Sequence, residues 1–183
     1  MRGIERRIDA GLPPDVTSVA SIFISRWDVA VAGKVPAALN NQLGIAVARR
    51  AHKAYLGLLR SPRWMRAYNA GARPQRLLWA STGTKDPKAS DVLYVEALAA
   101  PFTVNTMPEG TLRALAKHGV VGTTMPADGG DCEELLARFA AANIDVQSLS
   151  IKLQDEGAKS FVNSWNDLMA VIKSKCAVLE RAS

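Results

Sequence analysis

Two short stretches of this sequence pair hydroxyl groups with a cation a few residues later. Ser21-Ile22-Phe23-Ile24-Ser25-Arg26 ends one apolar, β-branched run, and Ser81-Thr82-Gly83-Thr84-Lys85 ends another. A hydroxyl beside a guanidinium or an ammonium offers what a phosphate takes: charge-assisted hydrogen bonds, bidentate from arginine. Gly83 adds a position where backbone N–H groups can approach anionic oxygens. A polar strand-to-helix connection with incidental cations accounts for the same residues, so this pattern alone leaves both readings open.

Other chemistry is weaker. Neither GxxxxGK[ST] nor GxGxxG occurs, which removes support for nucleotide binding. His52 stands among Arg49, Arg50 and Lys53, and His118 precedes a helix-ending Gly119; both are expected to be surface or capping histidines. Cys132 and Cys176 lie far apart without metal-ligand or CxxC spacing, so two reduced thiols are expected and no metal site. Arg60, Arg63 and Arg66 interleave with Trp64 and Tyr68, a pattern compatible with nucleic-acid contact. Basic residues mixed with alanine on a long helix are more often a solvated face, so nucleic acid is not an expected partner.

The charge is distributed unevenly. Residues 1–85 carry 14 Lys or Arg against 4 Asp or Glu, whereas residues 86–183 carry 9 against 13. No acid occurs between Asp28 and Asp86. With 48% apolar and 22% charged residues over 183 positions, the chain has a globular composition and the length of one ordinary domain. The charged start, Met1-Arg2-Gly3-Ile4-Glu5-Arg6-Arg7, leads into no apolar signal segment. No apolar run approaches the ~20 residues of a membrane span; a cytoplasmic location is the expectation.

The elements that would position these groups alternate. Ile4, Ile8 and Leu12 predict a helix stopped by Gly11, and Val16–Ser25 predicts a strand buried on both faces. Helical periodicity covers residues 38–59, with Leu39, Leu43, Ala46, Val47 and Ala51 on one side, and a further helix covers Pro62–Tyr68. A second strand at Gln75–Ala80, a helix at Ser90–Ala99 and a third strand at Phe102–Thr106 follow. Helices are then expected from Pro108 to His118, over Asp131–Ala141, and over Val146–Leu179 with an interruption near Gly157. Leu149, Ile151, Leu153, Phe161, Trp165, Leu168, Ile172 and Val178 would form that last segment's buried face. This order predicts a parallel α/β sheet with outer helices. Three parallel strands close nothing and leave open edges, so the expectation is part of a larger α/β fold.

The segments VASIFISRWD (19–28), GARPQRLLWASTGTKDPKASDVLYVEAL (71–98) and TVNTMPEGTL (103–112) resemble transaldolases. The resemblance is nearest to the branch also found fused to glucose-6-phosphate isomerase, and it extends to RRIDAGL near the start and FVNSWNDLMAVIKSK near the end. It implies a (βα)8 barrel of which residues 1–183 form a partial domain. That domain would begin within helix five and carry strands six to eight and the terminal helices. It also implies transfer of a dihydroxyacetone unit between sugar phosphates through a lysine Schiff base, with no cofactor. The nucleophilic lysine and the assisting carboxylates belong to earlier strands, so no catalytic residue is expected here and the chain alone is expected to be inactive. The missing N-terminal part of the barrel is then a possible partner. Ser21, Arg26 and Ser81 match the family's phosphate-binding positions. Gly83 stands where some members have a second arginine, with Lys85 nearby. Asn105 and Thr106, at the end of the last strand, would face the mouth if the family register holds.

Overall fold

A computed structural model describes residues 1–182, with side chains described through residue 178. The chain divides into two compact units, Met1–Asn143 and Ile144–Ser183.

The first unit opens with α1 (Arg2–Asp9), whose Ile4 and Ile8 pack on Trp64, Ala67 and Ala72. Gly11 follows at φ 67° and ends the helix in the left-handed region that glycine enters at least cost. Strand β1 (Val19–Phe23) is shorter than its apolar run, because residues 25–31 form helix α2 (Ser25–Val31). The expected single helix from residue 38 is also divided. Ala37–Leu39 make one 3-10 turn, Asn41 sits at φ 60°, and α3 (Leu43–Leu59) begins only after it. Asparagine tolerates that left-handed geometry, which no continuing helix can contain.

Helix α4 (Pro62–Asn69) starts as expected, with proline in its first turn and the Ser61 hydroxyl accepting from Trp64 N at 3.2 Å. Strand β2 (Arg76–Ala80), short helix α5 (Leu93–Ala97), strand β3 (Thr103–Asn105), α6 (Glu109–His118) and α7 (Cys132–Ala141) complete the unit. The three strands form one parallel sheet in the order β1-β2-β3.

Sheet pleating sorts the strand residues. Ala20, Ile22, Leu77 and Trp79 face a core with Ile45, Ala48 and Tyr55 of α3 and Tyr94 of α5. Trp79 is fully buried, and its indole N–H donates to Leu98 O at 3.1 Å. Val19 and Ser21, on the opposite face, are exposed. One sheet face is therefore covered by helices while the other stays open within this unit.

Four bases of the acid-free stretch have acid partners. Arg49 pairs with Asp131 and Arg50 with Glu133 of α7, Arg63 pairs with Glu5 of α1, and Arg73 lies 3.9 Å from Asp15. Each of these acids comes from outside the stretch. Exposed pairs of this kind stabilise by only ~0–1 kcal/mol each. Their consequence is to match α3 to α7 and α4 to α1.

His52 departs from expectation. It is 2% exposed on α3, and neither ring nitrogen has a hydrogen-bond partner. Burial holds its imidazole below the ordinary histidine value. The folded chain thus binds a proton less readily than the unfolded one, whose histidine titrates near ~6.5. The stability associated with neutral His52 is complete above that value and is lost as pH falls through it. We expect the thermal midpoint to drop between about pH 7 and pH 5 and His52→Leu to flatten that drop. A pH profile unchanged by His52→Leu would contradict this.

The second unit is one continuous helix, α8 (Val146–Ala182), entered through an Asp145 carboxylate that accepts from Gln147 N and Ser148 N. No interruption occurs at Gly157; one glycine costs a helix ~1 kcal/mol, which the long flanking turns tolerate. The expected buried face is also corrected. Ile151, Phe161, Trp165, Leu168, Ile172 and Val178 are exposed, and only Leu149 and Leu153 are half-buried. No helix among the described residues is long and apolar enough to cross a membrane.

Candidate functional site

The carboxyl ends of β1 and β2 are joined beyond the strands themselves. Ile24 N donates to Ala80 O at 2.8 Å and Ser25 N to Ser81 O at 3.1 Å. These bonds carry the parallel ladder into both loops and set the backbone preceding Arg26 directly against Ser81. Ser81 sits at φ 56°, a left-handed conformation that costs a non-glycine residue roughly 1 kcal/mol or more and clusters at functional sites. Ser21 lies one turn of the pleat earlier, on the open face.

Arg26 is half-buried, with its guanidinium carbon 4.2 Å from the centre of the Phe23 ring. Phe23 shares the alternate face of β1 with Ser21, so the cation is held toward that face. Among the described residues Arg26 has no ion-pair partner, unlike Arg49, Arg50 and Arg63. A guanidinium braced on an aromatic ring and unmatched by an acid is available to an external anion.

Helix α2, which carries Arg26, is fixed by Asp28. Its carboxylate accepts from Leu43 N at 2.8 Å, Gly44 N at 3.2 Å and the Tyr94 hydroxyl at 2.9 Å. Asp28 thus caps the N-terminus of α3 from another element and ties α2 to α5. Burial raises its carboxyl above the usual carboxylate range, while the three donors oppose that rise. Burial and the Asp28 charge push the Tyr94 phenol far upward, so it remains a donor. A Cβ on Gly44 would stand 2.6 Å from Ile24 O and 2.8 Å from Asp28 Oδ2, so only glycine permits this approach.

The remaining predicted site residues lie elsewhere. Lys85 is exposed and lines a cavity of about 430 Å³ with Asp28, Asp86, Asn40, Asn41 and Tyr94; Ser21, Arg26 and Ser81 do not line it. Gly83 is packed under α6, where a Cβ would come within 3.0 Å of the Pro108 ring. A larger residue at that position requires Pro108 to shift.

Asn105 pairs with Trp79, whose side chain enters the core, so it leaves the strand on the helix-covered face rather than that of Ser21. Its Oδ1 lies 2.8 Å from the buried Thr82 hydroxyl, which is also 3.0 Å from Thr106 O. Thr106 is exposed, and its hydroxyl donates to Trp79 O at 3.2 Å. Asn105 and Thr106 therefore fasten the end of β3 to the loop after β2. Among the described residues no group of three or more His, Cys, Asp or Glu side chains could hold a metal ion.

Comparison with known proteins decides what this arrangement belongs to. The family model described as transaldolase/fructose-6-phosphate aldolase matches residues 5–172. The chain belongs to the transaldolase family. It is 44% identical over 184 residues to a transaldolase of Parafrankia sp. (strain EAN1pec), covering 96% of this chain and 50% of that protein. Transaldolases of Frankia alni and of Neisseria meningitidis are 42% identical over 181 residues and 38% identical over 170. These cover 94% and 92% of this chain but 49% and 48% of the relatives. The chain spans about half the length of the curated transaldolases it matches. Family membership implies a TIM barrel, and the parallel strands with outer helices agree with that in part, since three strands are present.

Among residues to which the sequence assigned no role, Asp28 and Tyr94 matter most, because they tie α2 to α3 and α5. One signal was present: Asp28 and Asp86 bound the acid-free stretch, and both line the cavity.

Proposed function

We propose that this chain supplies the phosphate-binding side of a transaldolase. The reaction moves a dihydroxyacetone unit from a ketose phosphate such as sedoheptulose 7-phosphate to an aldose phosphate such as glyceraldehyde 3-phosphate. It proceeds through a lysine Schiff base in the pentose phosphate pathway of the cytoplasm. In this reading the phosphate takes bidentate hydrogen bonds from Arg26 and neutral ones from the Ser21 and Ser81 hydroxyls. Lys85 adds positive potential at the end of the second loop and steers the anion toward the mouth. The observation that supports the reading is the Ser25 N–Ser81 O bond at 3.1 Å, which joins the backbone just before Arg26 to Ser81, with Arg26 over the Phe23 ring and without an ion-pair partner among the described residues.

No lysine of these 183 residues takes the nucleophile's part in this reading, and the carboxylates that would assist it belong outside them. We expect borohydride treatment of the chain with fructose 6-phosphate to yield no covalent adduct by intact mass. A trapped adduct on this polypeptide would refute the assignment.

A second reading rests on the sheet. Among the described residues β1 and β3 each pair along one edge only, and unpaired edges recruit further strands. The chain would then act as a non-catalytic half-barrel that binds the remaining part of the barrel or a second copy. Size-exclusion chromatography with light scattering tests it, and a stable monomer at high concentration argues against self-association.

A further inference from the structure

We propose that α8 pairs with α8 of a second copy of this chain, antiparallel about a two-fold axis at Trp165. The pairing is independent of the phosphate reading and of the open sheet edges. Phe161, Val162, Trp165, Leu168, Met169 and Ile172 recur at helical spacing and form one apolar stripe along α8. All of them are exposed in the folded chain, Phe161 by 64% and Trp165 by 62%. A stripe of large apolar side chains on a long helix is the surface that helix–helix packing buries.

The charges beside the stripe select the partner and its direction. Asp155 and Lys173 are separated by about five whole turns of helix, so they lie on the same edge of the stripe, at opposite ends. Both are exposed, and neither makes an ion pair among the described residues. The neighbouring Glu156 is already engaged, 3.7 Å from Lys152. A parallel pair of identical helices would bring the two aspartates to one level and the two lysines to another, with no opposite charge for either. An antiparallel pair sets like edges against each other. With the axis at Trp165, each Asp155 comes within about two residues, ~3 Å along the helix, of the level of the partner's Lys173. The pair thereby gains two complementary charge contacts that a parallel pair lacks.

The same register matches the apolar side chains. Phe161 of one copy stands level with Met169 of the other, Val162 with Leu168, and Trp165 with its own counterpart. An aromatic ring against a flexible thioether packs well in such a seam. A two-fold pairing of one surface with itself closes at two copies, so it buries both stripes and leaves none for a third.

The test is sedimentation velocity of the 183-residue chain between about 1 μM and 1 mM. We expect a monomer–dimer equilibrium with a roughly micromolar Kd. Trp165→Ala should weaken it about 100-fold, because the ring lies at the axis and is lost from both copies. Asp155→Lys and Lys173→Asp should each weaken it about tenfold, since two contacts per dimer turn repulsive. The two changes in one chain should restore the original affinity. All three positions are exposed, so helix content by circular dichroism should stay constant across these variants. Copper-phenanthroline oxidation checks the direction through the free, exposed Cys176. In the antiparallel pair the two Cys176 positions are about 33 Å apart along the helices, and no disulfide should form. A chain that stays monomeric to about 1 mM overturns the proposal. So does a dimer insensitive to Trp165→Ala, as association through the sheet edges would be. Failure of the double charge reversal to restore affinity, or rapid disulfide formation between the Cys176 thiols, overturns the antiparallel register.

Discussion

Asp28→Ala should destabilise the first unit by about 3 kcal/mol in urea unfolding at pH 7, because it orphans three donors at once. Leu43 N and Gly44 N lose their acceptor at the start of α3, and the Tyr94 hydroxyl loses its own. Each unsatisfied buried group costs ~1–3 kcal/mol, and partial hydration brings the sum below simple addition. Tyr94→Phe removes one donor cleanly and should cost only about 1 kcal/mol. Gly44→Ala should approach the cost of Asp28→Ala, since its Cβ would lie 2.6 Å from Ile24 O. The alanine must push α3 away from the β1–α2 junction and stretch both capping bonds. A double mutant of Asp28 and Gly44 should cost less than the sum of the single changes, because both break one contact. An Asp28→Ala protein as stable as the unmodified chain would show that water replaces the clamp.

Local chemistry was the part of this architecture that the sequence exposed best. The proline and serine that start α4, the glycine that ends α1 and the apolar runs of the strands act within a few residues. Their effects are visible without the fold. What escaped depends on distance. α2 reads as a charged connection because Arg26-Trp27-Asp28 has no helical period by itself; its helix is completed by Asp28 bonding to α3 and α5. The start of α3 shifts from residue 38 to Leu43 for the same reason, since a cap supplied by a residue 15 positions away leaves no local mark. His52 looks solvated because its neighbours in sequence are Arg49, Arg50 and Lys53. Arg49 and Arg50 reach Asp131 and Glu133 at the start of α7 while the imidazole is buried. The positions of Ser21, Arg26 and Ser81 at strand ends were legible as hydroxyl and cation closing apolar runs. The face of Asn105 was not, because it depends on pairing with Trp79. The cavity was visible only as two acids at the ends of an acid-free stretch.

Arg26→Ala should weaken binding of fructose 6-phosphate to this chain by about 10- to 100-fold in calorimetric titration. That corresponds to the ~1.5–3 kcal/mol of hydrogen bonds to a charged group. The guanidinium sits 4.2 Å over Phe23, so its fork is held before the anion arrives and little side-chain entropy is lost on binding. Two further substitutions separate charge from geometry. Arg26→Lys keeps the positive charge but loses the bidentate fork, and should recover only part of the affinity. Phe23→Leu keeps the fork but removes the ring beneath it, and should cost a smaller ~0.5–1 kcal/mol. The ranking Ala, Lys, Leu from weakest to strongest distinguishes a phosphate clamp from a merely basic rim, at which lysine would serve as well as arginine. Salt should compress the differences only modestly, because a half-buried pair is screened less than an exposed one. In a completed barrel the same change would raise KM for phosphorylated ketoses. Equal affinity in the presence and absence of the Arg26 guanidinium would remove this residue from the phosphate site and leave Ser81's strained backbone without its assigned purpose.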